Sequence, residues 1–226
     1  MKYYIVCTDA RSGTNFLRRL MSGCDAGTPW EIMVHIEEKD HMPLKELYNL
    51  GTLKNAWDVS LHLGGWYPFI NYLKEISGLT NTDAFELLNH LFPDIKFIYL
   101  HRINKIKQAI SKIKAEQSGV NSIPAPRSKE GFTQFEYSKE EIQHVILKSS
   151  EIDARWLNCF EKYHITPHKL SYEGLCEETE KSIIDIMNFL GIPFEDAMKK
   201  KISDVKSKGR QYDAHSREWY QRFLKE

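Results

Sequence analysis

Along this chain, short apolar runs alternate with stretches whose apolar positions recur every three or four residues. The first run, Tyr3-Tyr4-Ile5-Val6-Cys7, is β-branched and aromatic, as strands prefer, and stops at Asp9-Ala10-Arg11-Ser12-Gly13. Phe16, Leu17 and Leu20 then fall at helical spacing, so the segment predicts strand, tight loop, helix. A second run, Ala56 to Leu63, ends at Gly64-Gly65. A third, Ile95 to Leu100, is apolar apart from Lys96 and closes on His101-Arg102, which suits a parallel strand covered on both faces. Between these two, Thr82 or Asp83 is placed to cap a helix carrying Phe85, Leu87, Leu88 and Leu91, which Pro93 ends.

Beyond Arg102, the positions Ile106, Ala109, Ile110 and Ile113 mark a further helix, giving a second strand-to-helix joint with a basic residue at its mouth. Residues 118–137, with Gly119, Pro124, Pro126 and Gly131, read as a long loop of the kind used for lids and binding. Ser138-x-x-Glu141 is a capping box, and the helix it opens carries the stripe Ile142, Val145, Ile146, Ile152, Trp156 and Phe160. His168 to Tyr172 is a candidate fourth strand. Thr179 to Leu190 is a helix closed by Gly191 and Pro193, and Ser216 to Leu224 is a last amphipathic helix. Strands alternating with helices, with helices enough for both faces, predict an α/β fold: three layers, α/β/α, around a mostly parallel sheet. In such sheets ligands bind beyond the carboxyl ends of the strands, so function is expected at the joints after the first and third strands.

Length and charge narrow the classes. At 226 residues, with 42% apolar and 12% aromatic side chains, one domain spanning residues 1–226 is expected. Thirty-one basic residues balance 31 acidic ones, which argues against a nucleic-acid footprint, so any positive site must be local. No stretch approaches the roughly 18 apolar residues of a membrane helix, and the N-terminus lacks a signal-peptide pattern, so a cytoplasmic location is expected. Cys7, Cys24, Cys159 and Cys176 are too scattered for a disulfide framework or zinc knuckle and read as buried thiols.

The first joint, Asp9-Ala10-Arg11-Ser12-Gly13-Thr14-Asn15, has the parts of an anion cradle. It offers a glycine for the bend, N–H groups at a helix start, two hydroxyls and one cation. It is not a Walker A loop: the first glycine is missing, the basic residue precedes the glycine, and the third strand closes on His101-Arg102 without a Walker-B acid. At the second joint Arg102 and Ser111 form another anion candidate, suggesting a ligand with phosphates at two separated points.

These motifs carry a resemblance. Arg11-Ser12-Gly13-Thr14 after the first strand, His101-Arg102 followed by Gln108-Ala109-Ile110-Ser111, and Arg210-Gln211 ahead of Glu218-Trp219 resemble the PAPS-dependent sulfotransferases, above all the bacterial trehalose 2-sulfotransferase type. The resemblance is one of motif order and spacing from near residue 3 to residue 224, strongest over residues 3–33 and 97–117. It implies a P-loop-like α/β fold that moves a sulfuryl group from 3'-phosphoadenosine 5'-phosphosulfate (PAPS) to a hydroxyl of a carbohydrate, glycolipid or small polar metabolite, without a metal. Carried over by position, Arg11, Ser12, Gly13, Thr14 and Asn15 would hold the 5'-phosphosulfate, with Arg11 also serving the chemistry. Arg102 and Ser111 would hold the 3'-phosphate, and Arg210 would help to close over the nucleotide, with Lys206 and Lys208 as rivals. The relatives place their general base in a Gly-x-Pro-x-Glu context, here Gly27-Thr28-Pro29-Trp30-Glu31, which makes Glu31 the candidate base. Residues 118–137 become the candidate acceptor-site loop. The relatives form dimers, which leaves a homodimer open although no feature of the sequence marks an interface.

Two departures stand out. Asp9 sits where the relatives carry an uncharged residue and would oppose an anion unless Arg11 or Arg18 pairs with it. The second strand, Asp58-Val59-Ser60-Leu61-His62, lacks the lysine that the relatives place near the reacting centre, and His62 is a candidate replacement. Plainer readings accompany several features. Glu31 after Pro29 also fits the first turn of a helix, and His62 a structural strand histidine. Trp66, Tyr67 and Phe69 around Pro68 suit lid or core packing more than sugar stacking. Lys105, Lys107, Lys112 and Lys114 suit a solvated helix face more than an RNA site. His35, His41, His164 and His168 make no metal-binding spacing. Two other functions stay open: a small-molecule kinase with an altered P-loop, and a non-catalytic nucleotide-binding module.

Overall fold

The structure, a computed structural model, describes residues 2–31, 47, 52–53, 56–119, 134–207 and 213–226. In chain order the described elements are β1 (Lys2–Thr8), α1 (Thr14–Gly23), β2 (Trp30–Glu31), β3 (Thr52–Leu53), β4 (Ala56–His62), α2 (Leu63–Ser77), α3 (Ala84–Leu91) and β5 (Lys96–His101). There follow α4 (Lys105–Ser118), α5 (Lys139–Lys162), β6 (His168–Ser171), α6 (Tyr172–Glu177), α7 (Thr179–Leu190), α8 (Asp196–Ser207) and α9 (Ala214–Lys225). The strands lie in the order β2-β4-β1-β5-β6, all parallel, and the short β3 adds an antiparallel pairing to the start of β4.

Alternation along each strand divides the core between the two faces of the sheet. Ile5, Cys7, Val59, Leu61, Phe97 and Tyr99 face one way, onto α2, α3 and α5. Tyr4, Val6, Ile98, Leu100 and Leu170 face the other, onto α1, α7 and α8. The result is the three-layer α/β/α arrangement expected from the sequence. A smaller apolar cluster joins Ala109, Ile110 and Ile113 of α4 to Ile142 of α5 and Trp219 of α9. Several local signals act as read: Asp83 Oδ1 caps α3 by accepting from the Phe85 N–H, Ser138 Oγ accepts from the Glu141 N–H, and Gly191 ends α7 in the left-handed conformation.

The sequence reading fails at α2. Gly64-Gly65 and Pro68 look like a break after the second strand, yet the helix begins at Leu63 and runs through all three. Their intrinsic cost in a helix is about 5 kcal/mol at most. Trp66, Phe69, Ile70 and Leu73 are all buried on the β1–β4–β5 face. At about 1.5–3 kcal/mol each, that burial outweighs the propensity cost. Trp66 and Phe69 are therefore core residues, whereas Tyr67 points outward at 69% exposure. Beneath the end of β1 the buried Trp156 donates from Nε1 to the Thr8 carbonyl at 3.0 Å, with Trp66 edge-on and Phe160 stacked against it.

Candidate functional site

The loop leaving β1 turns sharply at two residues of positive φ, Arg11 (61°) and Gly13 (96°). At Gly13 the requirement for glycine is absolute: a Cβ there would lie 2.2 Å from Tyr172 Cδ2. Gly13 is also the N-cap of α1. It has no side-chain cap, and its carbonyl accepts from the N–H groups of Phe16 and Leu17, so the helix start is open to a ligand anion. For Arg11 a left-handed backbone costs about 1–3 kcal/mol, which its surroundings must hold in place. Arg102 Nη1 donates to the Arg11 carbonyl at 3.2 Å, and Arg11 Nε donates to Ser111 Oγ at 2.9 Å.

The two basic joints are therefore one site. Ser111, which the sequence groups with Arg102, is also tied to the first joint, its Oγ accepting from the guanidinium of Arg11. Arg102 packs its own guanidinium 4.8 Å from the Tyr172 ring centre, with Glu173 Oε1 at 3.9 Å from Nε. The carboxylate of Glu173 is engaged by the backbone N–H groups of Ile103 and Asn104. Burial pushes its pKa up, but those two donors, with Arg102, hold it below the ordinary range. The pKa of Arg11 is lowered, first by burial and then by the neighbouring charge of Arg102. Two like charges held this close favour a bound anion.

Below the loop lies a polar floor. Asp9 Oδ1 accepts from the Ala10 N–H at 2.7 Å, and Oδ2 accepts from Lys112 Nζ at 2.6 Å and Gln108 Nε2 at 3.0 Å. Neither Arg11 nor Arg18, the expected partners, makes this pair; Lys112 does. Gln108 also donates to the Ala10 carbonyl and to Ser12 Oγ. The Ser12 hydroxyl is buried in this floor, so its contribution to an anion cradle falls to its backbone N–H. The lysines of α4 are likewise not a solvated face: Lys105 pairs with Asp153, Lys114 with Asp213, and Lys107 lies over the Tyr220 ring.

Glu31 is in a strand, not the first turn of a helix. Parallel pairing sets it opposite Ser60, and His62, two residues further along β4 on the same side, reaches it with Nε2 3.0 Å from Oε1. The hydrogen bond from His62 lowers the pKa of Glu31, burial opposes this, and the charges of His62 and Arg18 add to the lowering. The loop that delivers Glu31 is pinned by the buried Asp58, whose two oxygens accept from the Thr28 N–H at 3.1 and 2.9 Å. Gly27, at φ 108°, has no room for a side chain beside that carboxyl. Burial pushes Asp58 up to about 8 against the opposing bonds from Thr28 and Tyr4.

Arg210, His35, His41 and most of residues 118–137 lie outside the described residues. Thr14 and Asn15 open α1 as expected, and Asn15 Oδ1 accepts from Arg18 Nη2 at 3.1 Å. Four residues of the site carry no site role in the sequence reading: Gln108, which appears there only within a motif, Lys112, read there as solvated charge, and Tyr172 and Glu173. The first two had a signal, since helical spacing puts them one turn apart on the face that carries Ser111. The latter two follow the carboxyl end of β6, where the rule for parallel sheets would have directed attention.

Among curated proteins none matches this sequence. In fold the chain is similar to the sulfotransferase domain from the curacin biosynthetic pathway, with 16% identity, a TM-score of 0.50, and coverage of 87% of this chain and 76% of that one. The sulfotransferase domain from the Synechococcus PCC 7002 olefin synthase also aligns, with 13% identity, a TM-score of 0.46, and coverage of 96% of this chain and 86% of that one. The Stf0 sulphotransferase family model matches residues 55–226, which takes in Arg102, Gln108, Ser111, Tyr172 and Glu173. A match over most of the chain, on a parallel α/β sheet whose strand ends carry two converging arginines, places this protein in the Stf0 sulphotransferase family.

Proposed function

We propose that this sulfotransferase takes its sulfuryl group from PAPS and delivers it to a hydroxyl of a carbohydrate, glycolipid or small polar metabolite. The observation that carries the reading is the convergence of Arg11, Arg102 and Ser111 at the uncapped start of α1. In this reading the backbone N–H groups of residues 12–15, with Arg11, receive the 5'-phosphosulfate, while Arg102 and the Ser111 hydroxyl receive the 3'-phosphate. Arg210 is the further candidate for closing over the nucleotide. The acceptor oxygen attacks sulfur as the bond from sulfur to the bridging oxygen breaks. The electron pair leaves with the 5'-phosphate, and the hydroxyl proton passes to Glu31. Charge grows on the bridging oxygen as the sulfuryl group departs, so a cation held there lowers the barrier more than it tightens ground-state binding.

Of the two departures that leave room for a non-catalytic module, Asp9 and the missing lysine of the second strand, the charge of Asp9 is matched by Lys112. The chain acts in this reading as one domain, with residues 118–137 on the acceptor side. Its four cysteines are free thiols, which fits a cytoplasmic location, and no described helix is long and apolar enough to cross a membrane. The test is calorimetric and chemical. Adenosine 3',5'-bisphosphate should bind without magnesium and more tightly than ATP with magnesium, and an acceptor screen with labelled PAPS should yield a sulfated product identified by mass. Preference for ATP with magnesium would favour a kinase. Tight binding of the bisphosphate with no transfer across the screen would favour a binding module.

A further inference from the structure

His62 closes β4 and stands at the N-cap position of α2, so its backbone is fixed by two elements at once. Its side chain is 32% exposed and that of Glu31 51%, yet the two ring nitrogens differ sharply in environment. Nε2 meets Glu31 Oε1 at 3.0 Å, whereas Nδ1 is buried with no hydrogen-bond partner. A hydrogen on Nδ1 would be buried without an acceptor, so the neutral ring carries its hydrogen on Nε2 and donates it to the carboxylate. The same geometry decides between two candidate bases. Nε2 is taken by Glu31 and Nδ1 is sealed, so the imidazole has no nitrogen to offer a substrate. The second oxygen of Glu31 has no protein hydrogen bond among the described residues.

We propose that His62 is the positioning residue for Glu31: its Nε2–H fixes Oε1 and leaves Oε2 as the oxygen that takes the acceptor's proton. The proton-accepting unit is then a carboxylate–imidazole pair bridging β2 and β4, in which His62 never touches the substrate. This rests on the reading of Glu31 as base given above. In the step itself the acceptor O–H bond breaks, its proton goes to Oε2, and the freed pair forms the O–S bond. The charged and titratable groups facing the carboxylate among the described residues are His62 from β4 and Arg18 from α1. Asp58, also on β4, is occupied by the Thr28 N–H. The pairing keeps Glu31 ionised, and so able to accept a proton, at a pH where a lone glutamate begins to protonate.

Two measurements on the full chain test this without an identified acceptor. Nitrogen NMR of His62 should find the neutral ring protonated on Nε2. Carbon NMR of the Glu31 carboxyl should show it titrating below the ordinary glutamate range. In His62→Leu that titration should move up, because the carboxylate loses the partner that favours its charged form. His62→Gln keeps a donor without the ring and should return part of the way, a rescue that a merely structural role would not give. A ring hydrogen on Nδ1 in the wild type, or an unmoved Glu31 titration in a folded His62→Leu, overturns the proposal. Binding of adenosine 3',5'-bisphosphate in the same samples reports separately on the sulfotransfer reading. Its absence from the wild type would sink that reading and leave the His62–Glu31 pair standing.

Discussion

Asp9 lies one residue past β1, at the entrance to a loop that presents N–H groups to an anion, and its charge alone would repel one. Its half-buried partner Lys112 cancels that repulsion, the Asp9 and Lys112 side chains being 5% and 13% exposed. Removing one member of such a pair costs about 3–5 kcal/mol, whereas removing both is often close to neutral. Lys112→Met should therefore lower the denaturant midpoint and weaken nucleotide binding together, and Asp9→Asn added to it should restore most of both. A double variant as impaired as the single one would mean that Lys112 acts through something other than Asp9. At the neighbouring cations the expected effects diverge. Arg102→Ala should weaken adenosine 3',5'-bisphosphate roughly ten- to hundredfold, the loss expected for a charge-assisted bond, and adenosine 5'-phosphate far less. Equal losses would move Arg102 away from the 3' end. Arg11→Ala should cost more in turnover than in donor affinity, as compared by single-turnover rates and calorimetry.

Among the elements, β1, β4, β5 and α4 were legible because each carries its own signal: an apolar run, a loop with a glycine, a helical period. What stayed hidden depends on partners distant in sequence. No helix is read at α2, because Gly64, Gly65 and Pro68 are poor helix formers and nothing local shows that Trp66 and Phe69 face the sheet. The α4 lysines looked like solvated charge because Asp9, Asp153 and Asp213 approach them only in the fold. Glu31 and His62, each flagged singly, become a pair only through the β2·β4 register, a pairing that two short runs far apart do not announce. The Lys114 contact carries an element-scale prediction, since Asp213 is also the N-cap of α9 and accepts from the Ser216 N–H at 2.8 Å. Burial works against its charge, but the bonds from Lys114 and Ser216 hold Asp213 down at about 2. Lys114→Met should loosen α9, lowering Tm by a few degrees, and should raise the pH at which Asp213 titrates. An unchanged Tm would mean that the apolar contacts of Trp219 alone seat the helix.

Across the whole molecule, zero net charge conceals titrations of opposite sign. Asp213, depressed in the fold, contributes stability above the ordinary carboxylate range, and that contribution is lost as pH falls through about 2. Asp58, raised to about 8, acts the other way. Between the ordinary carboxylate range and about 8 the unfolded chain has released this proton and the folded chain still holds it. Asp58 therefore makes stability fall as pH rises across that window. Asp58→Asn should flatten this slope in urea titrations between pH 5 and pH 8; an identical slope would show that Asp58 is ionised in the fold.

The indole of Trp156 adds an optical consequence. Its N–H is bonded to the carbonyl of Thr8, the last strand residue before the turn at Arg11 and Gly13, and it lies in the dry interior between Trp66 and Phe160. A donor that draws that turn onto itself would change the pull on this one bond, and with it the field across a chromophore shielded from solvent. Tryptophan emission should thus shift on addition of adenosine 3',5'-bisphosphate, and Trp156→Phe should abolish most of the shift while leaving the calorimetric affinity nearly intact. The enzyme would then carry its own fluorescent gauge of donor occupancy, usable before any acceptor has been identified.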